Sequence, residues 1–190
     1  MAGSGGNGKV SSGPEAFRGL AGHLVTWVSV VITLVEGEPM ATTAGSVVAA
    51  SWDPPLLAVF FRAGSRMATA IDGSRRFTVN ILGESDAGLA RRFARPHRER
   101  GWAALAGIPL ERRDPAPPIF AHAAAWAECA TVHAIPLGDH VCFAGEVLAF
   151  HRDESVAPLA YYRGRFRALG PGIAPAPWMA VDAAELTAVW

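Results

Sequence analysis

Lysine is almost missing from this 190-residue chain: Lys9 is the only one among 17 basic residues, and the other 16 are arginine. Against them stand 17 acidic residues, so the formal net charge is zero and nothing draws the whole molecule to nucleic acid or anionic lipid. Cysteine is nearly as scarce. Cys129 and Cys142 sit in apolar, strand-like surroundings without metal-ligand spacing, and they read as reduced core residues of a cytoplasmic protein rather than as a disulfide framework. The most apolar run, Leu24 to Val35, is too short to span a bilayer, and its Val, Ile, Thr and Trp content is that of a buried strand.

Several chemical signatures are absent as well. No Gly-x-Gly-x-x-Gly or phosphate loop follows a strand-like segment, which leaves a Rossmann or nucleoside-triphosphatase reading without support. No Gly-x-Ser-x-Gly elbow marks a serine hydrolase. His23, His97, His122, His133, His140 and His151 are scattered without i, i+4 pairing or a Cys-x-x-Cys partner, so no metal is expected. Internal repeats are absent too.

What remains is β-structure punctuated by glycine and proline. The 51% apolar and 18% charged content fits a packed globular chain, and the length fits one domain. Residues 1–14, rich in Gly and Ser with no signal-peptide run, read as a disordered tail; 15–170 read as the folded domain and 171–190 as a proline-rich extension. Glu15 to Gly22 suits a short helix. Strands are expected over Leu24–Val35 and Met40–Ser51, joined as a hairpin by Glu36-Gly37-Glu38-Pro39, and over Leu56–Phe61. A helix opens at Ser65 and runs to about Ile71, broken by Gly73-Ser74, before a strand over Phe77–Leu82.

From Glu84 the spacing of Leu89, Ala90, Phe93 and Ala94 is helical until Pro96, and Arg98 to Ala106 suits a second short helix. Pro109 to Pro118 reads as a connection, Ala123–Ile135 and His140–Arg152 as two long β segments, and Leu159–Phe166 as a last strand. Many strands with helices gathered in the middle, and no regular βαβ alternation, predict a mainly β fold, a barrel with helical insertions.

Four places carry candidate chemistry. In Thr42 to Pro55 small and hydroxyl residues replace the bulky side chains of a buried strand, so something can approach closely at Thr43, Gly45 and Ser46. Gly64-Ser65-Arg66 combines a hydroxyl, a helix start and a guanidinium, which suits a phosphate group, although N-capping alone accounts for Ser65. Asn80 lies in an apolar strand and requires a partner, backbone or ligand. Gly138-Asp139-His140 puts a histidine beside a carboxylate between two strands, as an oriented acid, base or hydrogen-bonding group or as a plain turn.

Taken in order, Thr43, Ser51-Trp52-Asp53-Pro54-Pro55, Gly64-Ser65-Arg66, Phe77 to Leu82, Leu89 to Ala94, Trp102, Glu128-Cys129, Gly138-Asp139-His140, Gly145-Glu146-Val147 and Pro158 to Phe166 resemble the flavin reductase-like split β-barrel family that serves two-component monooxygenases. The resemblance covers roughly Phe17 to Leu169. It implies a homodimer that binds FMN or FAD, takes hydride from NADH or NADPH, and hands reduced flavin to a separate oxygenase. By position it places Thr43, Gly45, Ser46 and Ser51 along the flavin ring and ribityl chain, Ser65 and Arg66 at the phosphate, and Asn80 and Phe93 at the flavin border. His140 falls on the nicotinamide side, and Arg163 completes the pocket. Family members commonly carry hydroxyls where this chain has Val48 and Ala49, and threonine where it has Met67, which implies a thinner polar grip on the flavin. A second reading follows from that departure: a split barrel that has lost reductase activity and binds flavin or another small ligand, or catalyses a non-redox step.

Overall fold

The computed structural model describes residues 12–97 and 99–171; all but residues 12–14 of the tail expected over 1–14, and all but Pro171 of the extension expected over 171–190, lie outside the described residues. Helix α1 (Pro14–Ala21) begins on a proline, tolerated there because the first helical N–H needs no intrahelical acceptor, and buries none of its residues. The single strand expected over Leu24–Val35 comes as two, β1 (Thr26–Trp27) and β2 (Ser29–Val35), which enter different sheets. Val28 divides them: its N–H donates to Leu159 O and its carbonyl accepts from Leu82 N–H, so both backbone groups leave the strand ladder.

The hairpin from β2 to β3 (Glu38–Ala44) turns on Glu36 and Gly37, both at positive φ (53° and 79°), the geometry that matches the twist of the flanking strands. The strand expected over Met40–Ser51 is in fact divided. After β3 the chain passes Gly45-Ser46 and starts β4 (Val47–Trp52), which pairs with β5 (Pro55–Arg62). With β6 (Arg76–Ile81), β9 (Ala125–Leu137) and β10 (His140–Arg152), these form an antiparallel sheet in the order β3-β2-β6-β9-β10-β5-β4. Strands β3 and β4 are therefore consecutive in the chain yet lie at opposite edges of the sheet. Two linking residues span only about 10 Å, so the sheet must roll until its edges meet. The result is a barrel split between β3 and β4.

Two apolar cores lie on the two sides of this wall. Inside, Val31, Val59, Phe61, Phe77, Val79, Cys129 and Phe143 pack together, and helix α2 (Arg66–Ser74) plugs them with Met67, Ala68 and Ile71. Gly145 on β10 is part of that fit, because a Cβ there would come within 2.6 Å of the Phe77 ring and 2.8 Å of Cys129 Cβ. Outside, Val30 and Ile32 of β2 are covered by Ala90 and Phe93 of α3 (Ala87–Ala94), by Leu105 of a 3-10 turn (Gly101–Leu105) and by Phe120. Gly73 and Ser74 do not break α2. Its end is set by Arg75, which takes the left-handed conformation (φ 55°) and returns its N–H to Ile71 O.

The connection expected over Pro109–Pro118 is a hairpin of β7 (Leu110–Arg113) and β8 (Ala116–Phe120). Proline fits in β8 because β7 is its only ladder partner among the described strands, and on the other side β6 answers with side chains. Thr78 Oγ1 donates to Pro118 O at 3.0 Å and Asn80 Oδ1 accepts from Phe120 N–H at 2.8 Å. The last expected strand also divides, into β11 (Ala160–Tyr162) and β12 (Arg165–Arg167), which with β1 make a small separate sheet.

Candidate functional site

Four of the expected site residues meet where β5 ends. His140 opens β10 directly opposite Arg62, the last residue of β5. The next residue, Ala63, donates its N–H to Asp139 O at 2.9 Å, which ties the β9–β10 turn to the loop leading into α2. On the other flank Ser46 O accepts from Phe60 N–H, and the Ser46 hydroxyl donates to Phe60 O, both at 3.3 Å. Ser46, Ser65, Arg66 and His140 thus share one rim of the barrel, with Gly45 beside them. A Cβ on Gly45 would come within 3.0 Å of Thr26 Oγ1, so the chain is drawn in tightly there.

Ser65 caps α2, its Oγ accepting from Ala68 N–H at 3.3 Å, which leaves the hydroxyl proton free to donate. Arg66, the first residue of the helix, is exposed beside it. The half-exposed His140 ring holds Nδ1 2.8 Å from Asp139 Oδ1. That hydrogen bond, with the charges of His140 and Arg62, keeps the Asp139 carboxyl below its usual range. Sequence reasoning did not single out Arg62. Its signal is a cation immediately after a fully apolar strand run, at the end where the strand emerges.

The remaining expected residues are elsewhere or engaged. Thr43 Oγ1 donates to Ala90 O at 2.7 Å, fastening β3 to α3. Asn80, 0% exposed, has both ends of its amide on backbone: Nδ2 donates to Val30 O at 3.2 Å and Oδ1 accepts from Phe120. Phe93, also 0% exposed, packs in the outer core with the Phe120 ring 6.0 Å away. Neither offers surface to a ligand, so the expected border contacts become support from behind the wall. Ser51 lies at the far end of β4, opposite Leu56. Arg163 sits in the β11–β12 turn at φ 48°, its N–H on Gly22 O, as part of the small sheet. Met67 is buried in the inner core, so a hydroxyl missing at that position takes nothing from the exposed rim.

A flat, polar-edged ring system fits β4. The strand pairs only with β5 among the described strands, so its outer backbone groups face the split. Ala49 and Ala50 are small and exposed, and a bulge between Ala49 and Ser51 re-aims the side chains there. Two cavities lie beside the helices, and the first of them reaches the rim. One of about 480 Å³ lies between the β2–β3 turn and α2, lined by Leu34, Val35, Met40, Ala70 and Ser74, and reaches the rim through Arg66. The other, about 220 Å³, lies at the end of α3 among Arg92, Arg95, His97 and Glu99.

Comparison with known proteins agrees with this geometry. The family model for the flavin reductase like domain matches residues 21–170. A probable flavin reductase of Rhizobium meliloti (strain 1021) is 35% identical over 154 residues, 80% of this chain; the match spans about half, 48%, of that relative's length. The NADH-dependent FMN reductase AsuE2 of Streptomyces nodosus subsp. asukaensis is 36% identical over 162 residues, covering 83% of this chain and 85% of the relative. Among solved structures, the nitrilotriacetate monooxygenase component B homologue from Mycobacterium thermoresistibile superposes with a TM-score of 0.78 at 31% identity, over 91% of this chain and 96% of its own. With the split barrel in place and the family model matched over most of its length, the chain belongs to the flavin reductase-like family.

Proposed function

We propose that this protein is an NAD(P)H:flavin oxidoreductase that supplies reduced FMN or FAD to a separate monooxygenase component. The convergence of Ser46, Ser65, Arg66 and His140 on one rim, next to a small-residue edge strand, carries the reading. Flavin, when bound, accepts the hydride that the reduced nicotinamide gives up; the chain's own part is to hold the two rings together. Ala49 and Ala50 leave room for a ring against β4, whose backbone groups suit its polar edge. Ser65 and Arg66 supply a free hydroxyl proton, helix-terminal N–H groups and a guanidinium for the phosphate. His140 orients the nicotinamide from the facing side.

A homodimer accounts for the large apolar side chains left bare along the barrel wall, Trp52 at 71% and Phe150 at 73% exposed. Size-exclusion chromatography with light scattering checks it, and a monomer at micromolar concentration would remove that element. Cytoplasmic residence agrees with two unpaired cysteines.

The decisive assay is NADH and NADPH oxidation with added FMN or FAD. Purified protein is expected to accelerate oxidation well above the rate with free flavin, and His140→Ala to weaken nicotinamide use by about tenfold, the order of one hydrogen bond. No acceleration with any of the four combinations would sink the reductase reading. The outcome would then favour the non-reductase split barrel suggested by Val48, whose exposed apolar side chain stands on β4 where a hydroxyl is common.

A further inference from the structure

The larger cavity begins where the proposed phosphate site ends. Gly64 and Arg66 line the end nearest the rim, beside Ser65, and the space follows α2 to Gly73 and Ser74. From Arg66 to Gly73 is about 10 Å along the helix axis. Across from the helix stand Leu34 and Val35 at the end of β2, Glu36 in the turn and Met40 on β3. The Thr33 and Ser74 hydroxyls, 2.6 Å apart, tie the end of α2 to β2 and fix the distance between the two walls. A volume of about 480 Å³ is of the size that holds small molecules.

The lining has an order along its length. Beyond the guanidinium the walls turn apolar: Leu34 and Met40 are half-buried and Val35 is 39% exposed, and all three line the cavity. On the helical side Gly73 presents no side chain at all. Its φ lies outside the left-handed region and a Cβ built on it meets no atom within 4 Å, so neither backbone conformation nor close packing calls for glycine there. Glycine within a helix is unfavourable against alanine, and what it leaves here is room. Glu36 and Thr69 add acceptors, a carboxylate and a hydroxyl whose proton goes to Ser65 O at 3.3 Å. A cation, then apolar walls, then acceptors suit a ligand with a phosphate, a flat ring, and N–H and O–H donors at its edge. Adenosine linked to a phosphate has these groups: the base supplies the ring and an amino group, and the ribose supplies hydroxyls.

Resting on the flavin reductase reading above, we propose that this cavity takes the adenosine of FAD, so that FAD rather than FMN is the flavin this protein prefers. FMN ends at the phosphate held by Ser65 and Arg66 and leaves the cavity unused, whereas FAD continues past that phosphate. NADH and NADPH carry adenosine too, but the cavity opens beside the phosphate site assigned to the flavin.

The test starts without turnover. Binding of FAD and of FMN to the full chain is measured by titration calorimetry for the wild type, Gly73→Ala and Gly73→Leu. The wild type is expected to bind FAD about tenfold more tightly than FMN. Gly73→Leu, which fills the cavity from the helix side, should weaken FAD by about tenfold and leave FMN within about twofold, with Gly73→Ala between. Neither substitution should lower the unfolding temperature, since both residues favour a helix over glycine. In steady state Gly73→Leu should raise KM for FAD by about tenfold, with KM for the reduced nicotinamide within about twofold.

Equal affinity of the wild type for the two flavins would overturn the proposal, whether or not a variant folds. So would a Gly73→Leu effect of the same size on both flavins, or one confined to the reduced nicotinamide, which would give the cavity to that coenzyme's adenosine. Binding is read without reduced nicotinamide, so a protein that prefers FAD in this graded way but oxidises neither NADH nor NADPH would count against the reductase reading and not against the role of the cavity.

Discussion

The seam between the barrel wall and its outer layer, and the rim at the end of β5, both carry polar side chains, but they use them differently. In the seam, Thr43, Thr78 and Asn80 each meet a backbone group of a covering element, Ala90, Pro118 and Phe120. At the rim, Arg66 is exposed, Ser65 retains a free proton and His140 Nε2 has no hydrogen-bond partner among the described residues. The difference follows from solvation. A buried amide or hydroxyl left unpaired costs about 1–3 kcal/mol, so the fold must supply its partner, whereas a rim group is hydrated until a ligand replaces the water.

This contrast is sharpest at Asn80. Asn80→Leu keeps most of the volume but strands the Phe120 N–H and removes the donor to Val30 O, and is expected to cost roughly 3 kcal/mol in urea unfolding. Activity per folded molecule should change little. A variant of undiminished stability that had lost flavin binding would return Asn80 to the ligand's side.

A somewhat smaller effect is expected from Cys129. Burial, with the neighbouring Glu128 carboxylate, pushes its thiol from an ordinary value near 9 up to about 12. In the unfolded chain the thiol ionises first, so a raised folded value stabilises fully below about 9 and that contribution falls away as pH rises towards 12. The unfolding free energy should therefore drop by about 2 kcal/mol between about pH 8 and pH 10.5, and by distinctly less in Cys129→Ala. Equal drops in both proteins would mean the thiol is not held protonated by its surroundings.

On the stability scale Arg66→Ala should register least, within about 0.5 kcal/mol, as for an exposed residue without a structural contact. Its expected effect is on KM for flavin, a rise of about tenfold, in keeping with the loss of one charge-assisted hydrogen bond. If Arg66→Ala moved the unfolding midpoint and left that KM unchanged, the division between seam and rim would fail at its clearest rim residue.

Much of this was legible in the sequence, for identifiable reasons. Leu56–Phe61, Phe77–Leu82 and the two long segments ending at Ile135 and Arg152 are apolar enough on both faces to be strands in any context, and they are. Ser65 as a cap and the Gly138-Asp139 turn are local chemistry and appear as such. What escaped depends on distant partners. Met40–Ser51 looks continuous, and only the barrel's closure explains why it divides at Gly45-Ser46. The hairpin through Pro109–Pro118 was hidden because its prolines are tolerated only with Thr78 and Asn80 supplying bonds from the other side. For the same reason Asn80 could be flagged as needing a partner but not told which. Four of the expected site residues converge on the rim, with Gly45 beside them; Asn80 and Phe93 stand behind it, Thr43 is fastened to α3, Ser51 lies at the far end of β4, and Arg163 sits in the β11–β12 turn.

The two-residue link at Gly45-Ser46 also bears on the order of assembly. It tethers the β2–β3 and β4–β5 hairpins so closely that they must settle as neighbours, yet no ladder joins them among the described strands. The strands that join them, β6, β9 and β10, come later in the chain and fill the remaining arc between β2 and β5. On a ribosome the hairpins emerge first with their inner faces bare, and closing the arc is a long-range step of the slow kind. His140 arrives with the last of these strands, so the rim is complete only when the whole barrel is, and a chain interrupted before β10 has half a site and an open core.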